Sequence, residues 1–163
     1  MNDLTQERLQ ELLKYDSLTG VFTRLVTQGG KLPGTHAGWV HRKGHREIKI
    51  DGKCYKAHRL AWLYMHGEWP VDQIDHINWA KDDNRIVNLR ESDHAMNQQN
   101  IKGAHRNNKL GLLGVCKPKG MRRYRAAIGV HGRVLYLGYH DTPELAHQVY
   151  LTAKRKLHKG CTI

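Results

Sequence analysis

The stretch from Ile74 to Asn100, IDHINWAKDDNRIVNLRESDHAMNQQN, constrains this chain more than any other. Asp75 and His76 follow a short apolar lead-in of Val71 and Ile74. Asn88 lies twelve residues after His76, inside Val87-Asn88-Leu89-Arg90, and Asn97 nine residues further on. One carboxylate, one imidazole and two carboxamides thus fall in one short segment. Oxygen donors of this kind hold a hard divalent cation, and a neutral imidazole beside it can activate water. Taken singly, each of these residues has an ordinary structural reading, since Asp-His pairs make turns and Asn caps loops. It is their joint spacing that points to chemistry.

That spacing resembles the HNH nuclease motif in the form found in phage and intron homing endonucleases. The resemblance covers residues 58 to 101 and implies a ββα-metal finger: two short strands, a loop and a helix. Matched by position, Asp75 would be the metal-binding carboxylate and His76 the general base. Asn88 would hold the loop and orient the base, and Asn97 would be the second metal ligand. Ser92 is a suitable N-cap with Asp93 in the first turn, which places Asn97 on the helix. The resemblance implies Mg²⁺ as cofactor, with Mn²⁺ an acceptable substitute.

Composition bears on the partner. Lys and Arg number 27 against 15 Asp and Glu, a formal charge of +12 in 163 residues. An excess this large marks a polyanion partner, which the resemblance implies is double-stranded DNA. No run of eighteen apolar residues and no signal-peptide pattern occurs, so a protein of the cytoplasm, in a bacterial or phage-infected cell, is expected, with no membrane association. The fold class expected is α+β, and a monomer is favoured. Cys54, Cys116 and Cys161 are far apart and form no C-x-x-C pair, so neither a disulfide scaffold nor a structural zinc is expected.

Before the motif, residues 3 to 15 read as an amphipathic helix capped by Thr5, with Leu9, Leu12 and Leu13 on one face. Asp16 to Gly20 is turn-like, Val21 to Val26 a strand, and Gln28 to Gly38 a loop. Asp51-Gly52 between alternating apolar residues predicts a β-hairpin over 46 to 57. This N-terminal β region is expected to pack on the motif, so that residues 1 to 101 form one nuclease domain. His58 to His66 reads as a helix stopped by Gly67 and Pro70. His58 has two readings, a structural hydrogen bond or a place near the active site. Trp62 reads as core and Trp79 as a nucleic-acid contact. Arg59, Arg85 and Arg90 are alternatives for a phosphate-stabilising cation.

Lys102 to Leu113 reads as a linker whose Lys102, Arg106 and Lys109 can lie on phosphate. Beyond it, the sequence predicts strands opening at Gly114-Val115, over Arg123 to Val130 and over Arg133 to Tyr139. Thr142-Pro143-Glu144 then starts a helix whose inner face is Leu145, Ala146, Val149, Ala153 and Leu157. Residues 114 to 163 resemble an AP2 DNA-binding domain through Gly114-Val115, Tyr124-Arg125-Ala126-Ala127-Ile128, Gly132-Arg133 and Leu137-Gly138-Tyr139. The helix residues Ala146, Tyr150 and Ala153 continue the likeness. The first strand, Leu112-Leu113-Gly114-Val115-Cys116, lacks base-reading Arg residues, so no target sequence carries over. Strand parity turns Arg123 and Arg125 away from the helix, sets Leu135 and Leu137 against it and turns Tyr136 outward. Lys117, Lys119, Arg122 and Arg133 are the phosphate contacts this arrangement offers.

Together these features imply a metal-dependent DNA endonuclease of the homing or free-standing phage type. Two rivals stand beside it: a DNA-binding regulator or non-cleaving relic of the motif, and an RNA-directed nuclease. Cleavage of DNA or RNA with Mg²⁺ and with EDTA separates the three.

Overall fold

The computed structural model describes residues 4–93, 96, 99, 103–104, 106–158 and 161. The chain divides into two compact units, residues 1–93 and residues 94–163, with the division falling inside the motif, after Asp93.

The first unit begins with α1 (Gln6–Leu12), whose Thr5 cap accepts a hydrogen bond from the Arg8 amide. The helix is shorter than its apolar pattern predicts. Leu13–Asp16 instead forms β1, antiparallel to β2 (Val21–Arg24), with Leu13 opposite Arg24. Leu13 and Tyr15 alternate inward as a strand requires, and the Tyr15 ring meets Phe22 at 4.7 Å. A Leu-Leu pair suits either structure, so the pairing with β2 decides where the helix stops.

A second sheet orders β3 (Trp39–Val40), β4 (Arg46–Ile50) and β5 (Lys53–Lys56) side by side. Asp51 and Gly52, at φ 46° and 85°, make the tight turn between β4 and β5. The helix α2 (Ala57–His66) follows and ends at Gly67, a left-handed residue at φ 81° whose amide bonds to the Leu63 carbonyl. The third sheet is β6 (Gln73–His76) against β7 (Leu89–Ser92). One apolar core takes Leu9 and Leu13 from the N-terminus, Ile48 and Ile50 from β4, Leu60 and Leu63 from α2, and Ile74 and Leu89 from the third sheet. The N-terminal β region and the motif strands are therefore parts of one packed body.

In the second unit, β8 (Val115–Cys116), β9 (Tyr124–Val130) and β10 (Arg133–His140) form an antiparallel sheet with β9 central. The helix α3 (Pro143–Leu157) starts as its sequence predicts, with the Thr142 hydroxyl accepting from the Leu145 amide and Pro143 in the first turn. Its buried face differs from the predicted one. Ala146, Tyr150 and Lys154 face inward, whereas Leu145 and Leu157 are exposed and Val149 and Ala153 only half-buried. Gly114 is the physical reason: it holds φ 70°, and a Cβ there would stand 1.9 Å from the Tyr150 ring. The backbone of the first strand thus draws Tyr150 under the sheet and sets the rotation of the helix.

A bulge between Tyr136 and Gly138 shifts the β10 register. Leu137 packs on the small core as predicted, but Leu135, opposite Ile128, stays 47% exposed. Within the expected linker, Asn108, Leu110, Leu112 and Leu113 are half-buried. Leu110 and Leu112 lie on this core, and the Asn108 carboxamide donates to the carbonyls of Leu112 and Val115. No disulfide joins cysteines among the described residues. No helix among the described residues is long and apolar enough to cross a membrane.

Candidate active site

The β6–β7 pair sets the register of the site. Asp75 stands opposite Arg90 and His76 opposite Leu89. Alternation along β6 buries Ile74 and His76 and leaves Asp75 half-buried between them. The twelve residues from Ile77 to Asn88 form the loop, which closes in a single 3₁₀ turn at Ile86–Asn88.

Asn88 holds that loop together. Its Oδ1 accepts from the Asn78 amide at 3.0 Å and its Nδ2 donates to the Asp83 carbonyl at 2.8 Å. The Asn88 carbonyl accepts from the Ile77 amide at 2.9 Å. The buried carboxamide therefore ties the start and the middle of the loop to its end, while the Asn88 backbone pairs with the residue that follows His76. Asn78 in turn donates to Asp83, which is also gripped by Arg85; the guanidinium holds the Asp83 carboxyl down at about 2.

Asn84 is a site residue that motif spacing does not reveal. It is fully buried, and its Oδ1 lies 3.4 Å from His76 Nε2. A carboxamide oxygen only accepts, so this contact sets the His76 proton on Nε2 and leaves the lone pair on Nδ1. Asn84 is fixed by its own donation to the Asp82 carbonyl, and its carbonyl accepts from the Tyr15 hydroxyl at 2.6 Å. Gly20, at φ 75°, passes so close that a Cβ would meet the Arg85 nitrogen at 2.5 Å. The only sequence signal for Asn84 is an Asn within an Asp-rich loop, which turns commonly contain.

The loop is clasped from a second side by the residues leading into β4. Arg46 grips both oxygens of Asp82 at 2.9 Å, and Lys81 Nζ donates to the Lys43 carbonyl at 3.2 Å. This clasp brings His45 next to His58 and His76. The ring centroids are 5.1 Å apart for His45 and His58, 5.0 Å for His58 and His76, and 5.6 Å for His45 and His76. Of the two readings of His58, the structure gives proximity to His76, and its Nδ1 is buried with no hydrogen-bond partner. Burial first, then neighbouring positive charge, pushes His58 down to about 3 and His45 down to about 4. Burial also lowers His76, opposed by its contact with Asn84 and by Asp75. All three imidazoles are neutral at neutral pH.

Each of the three candidate arginines is engaged. Arg90 binds Asp75 Oδ2 at 2.9 Å, and Arg85 binds Asp83 at 2.6 Å. Arg59 donates to the carbonyls of Asp72 and Pro70 and lies over the Trp69 ring. Trp79 sits half-buried at φ 62°, its amide donating to the His76 carbonyl. Trp62 packs partly buried against the core. Ser92 closes β7 opposite Gln73 and is buried, while Met96 and Gln99 are helical. Asn97 and Lys102 lie outside the described residues.

In the second unit Arg125, Tyr136 and Tyr139 share the face of the sheet away from α3. Arg125 lies over the Tyr136 ring at 5.3 Å and stands opposite Tyr139. Arg123 is on the same face but its Nε binds Asp141 at 2.8 Å. Lys117 lies over the Tyr124 ring at 5.1 Å. Arg106, Lys119, Arg122 and Arg133 are exposed.

The site is a strand pair that presents adjacent Asp and His and is closed by an Asn-clamped loop. Residues 55–99 match the model of the HNH endonuclease family, which supports an HNH domain in this stretch and a nuclease as the class of protein. No curated protein and no solved structure matches the chain.

Proposed function

We propose that the protein is a metal-dependent endonuclease that hydrolyses phosphodiesters of double-stranded DNA, of the homing or free-standing phage type. One observation carries this reading: the Asn88 clamp and the Asn84 contact hold a buried, neutral His76 beside Asp75.

Asp75 supplies a hard oxygen that suits Mg²⁺ or Mn²⁺, and Asn97 is assigned as the second oxygen ligand. The bound ion would supply charge neutralisation at the scissile phosphate and at the departing 3′ oxygen. His76 takes a proton from the attacking water through Nδ1, while its Nε2–H stays on Asn84. Asn88 is a positioning residue, acting through the loop. Residues 114 to 163 are assigned the AP2-like role of gripping DNA with Arg123, Arg125, Arg133 and Tyr136 on the sheet, and Lys117, Lys119 and Arg122 at its edge. Lys102 and Arg106 add phosphate contacts before it. The net charge of +12 supports a polyanion substrate.

The test is a plasmid and an oligoribonucleotide, each incubated with the protein in Mg²⁺ and in EDTA. Nicking or linearisation of the plasmid in Mg²⁺ alone is expected. Binding without cleavage would leave a DNA-binding regulator, and cleavage confined to RNA would change the substrate.

A further inference from the structure

His45, His58 and His76 reach one point from three separate elements: the turn before β4, the first turn of α2 and the end of β6. Each offers one ring nitrogen, and the three ligand atoms all lie within 4.8 Å of one another. Two of the three side chains, His58 and His76, are at most 5% exposed. Nδ1 of His45 and Nδ1 of His58 are buried with no hydrogen-bond partner. Buried ring nitrogens without partners are costly, and a cluster of them is unusual unless something occupies the space between.

We propose that these three histidines form a site for a zinc-class transition ion, separate from the oxygen-ligated Mg²⁺ site. Neutral imidazole is a ligand for Zn²⁺, Co²⁺, Ni²⁺ and Cu²⁺ and a poor one for Mg²⁺, which requires oxygen. Tetrahedral Zn²⁺ with nitrogen ligands at 2.0–2.1 Å needs them about 3.3 Å apart, so the rings close in by roughly 1.5 Å at most. Rotation about the side-chain torsions covers that distance. Three protein ligands leave the fourth position to water. Asp75 beside His76 offsets part of the ion's charge, against Lys56 and Lys81 on the other side.

The site shares His76 with the proposed nuclease. Resting on that reading, occupancy takes the imidazole out of service as a base and shuts off Mg²⁺-dependent cleavage. The ion is thus an inhibitor that competes for a residue rather than for the Mg²⁺ position. Cleavage then depends on the ratio of zinc-class ion to Mg²⁺ in the surroundings.

Co²⁺ reads the site directly, because nitrogen-ligated four-coordinate Co²⁺ absorbs strongly in the visible and hexaaqua Co²⁺ does not. The full-length protein in excess Mg²⁺ is titrated with Co²⁺, then with Zn²⁺ to displace it. One Co²⁺ per chain with such a spectrum, displaced by one Zn²⁺, is expected. His45→Gln and His58→Gln should each weaken Co²⁺ binding by at least about tenfold, since even outer-shell changes cost that much. His45 is half-buried, so its variant tests the site should the His58 variant unfold; circular dichroism confirms that each is folded. No visible spectrum overturns the proposal, and so does a spectrum unchanged in both folded variants, which would make other histidines the binders. In the cleavage arm, inhibition of the wild type by Zn²⁺ should follow the same titration curve. Undiminished cleavage with the site filled overturns the inhibitory role. A protein that binds Co²⁺ as described yet never cuts DNA retains the site and loses the nuclease reading.

Discussion

Asp75 and Arg90 face each other across the β6–β7 pair, with Arg90 Nη2 2.9 Å and Nε 3.1 Å from the same carboxylate oxygen, Oδ2. The carboxylate assigned to the metal is therefore already partnered by a cation on the neighbouring strand. A divalent ion and a guanidinium on one carboxylate repel each other, and both side chains are largely shielded from solvent. Arg90→Gln keeps a hydrogen-bond donor and removes the charge. The Mg²⁺ concentration for half-maximal cleavage should fall several-fold in this variant; an unchanged or raised requirement would show that Arg90 organises Asp75 for the metal instead.

His76→Ala should abolish cleavage while DNA binding stays within a few-fold of wild type. Loss of a general base costs about 10²–10⁴-fold, whereas affinity is spread over many phosphate contacts. Cleavage at a near wild-type rate, measured on plasmid, would remove His76 from the mechanism.

Asn88→Ala leaves the Asn78 amide and the Asp83 carbonyl, both in partly buried hydrogen bonds, without their partner. Such unmet groups cost about 1–3 kcal/mol, which should appear as a lowered denaturation midpoint in urea. The rate of cleavage should fall with little change in DNA affinity, because the loop orients His76. A stability loss with cleavage intact would make the clamp structural only.

Tyr15 provides a pH signature of the scaffold behind the site. Burial pushes its hydroxyl up to about 12 from an ordinary value near 10. The unfolded chain therefore loses this proton first as pH rises. The stabilisation is fully present below pH 10 and disappears between pH 10 and 12, on the order of 2–3 kcal/mol in all. Urea denaturation over that range should show a steeper alkaline loss in wild type than in Tyr15→Phe. Equal slopes would mean that the hydroxyl ionises freely in the folded state.

Arg125, stacked over Tyr136 on the open face of the second sheet, should contribute to DNA affinity. Arg125→Ala should weaken binding by about 1–3 kcal/mol with a site-dependent loss if the side chain reads a base edge. A phosphate contact instead gives a uniform loss and a log–log salt slope smaller by roughly 0.9. Filter binding at several salt concentrations on two unrelated duplexes measures both, and no change in either would remove Arg125 from the interface.

Much of this was legible in the chain itself. Asp51-Gly52, Thr142-Pro143 and Gly67 act within a few residues, through backbone conformations and caps that local sequence dictates, and each stands where it was expected. The adjacency of Asp75 and His76 and their distance to Asn88 are likewise local, because two short strands and one loop fix them. Only the tertiary structure could end α1 at Leu12, since pairing with β2 overrides a leucine pattern that suits a helix. It also chose Tyr150 over Val149 for the inner face of α3, through the missing side chain of Gly114, 36 residues away. Asn84, Tyr15 and the His45–His58–His76 cluster were illegible for the same reason. Their chemistry depends on burial and on distances between segments that are remote in sequence, and those are set by packing rather than by spacing.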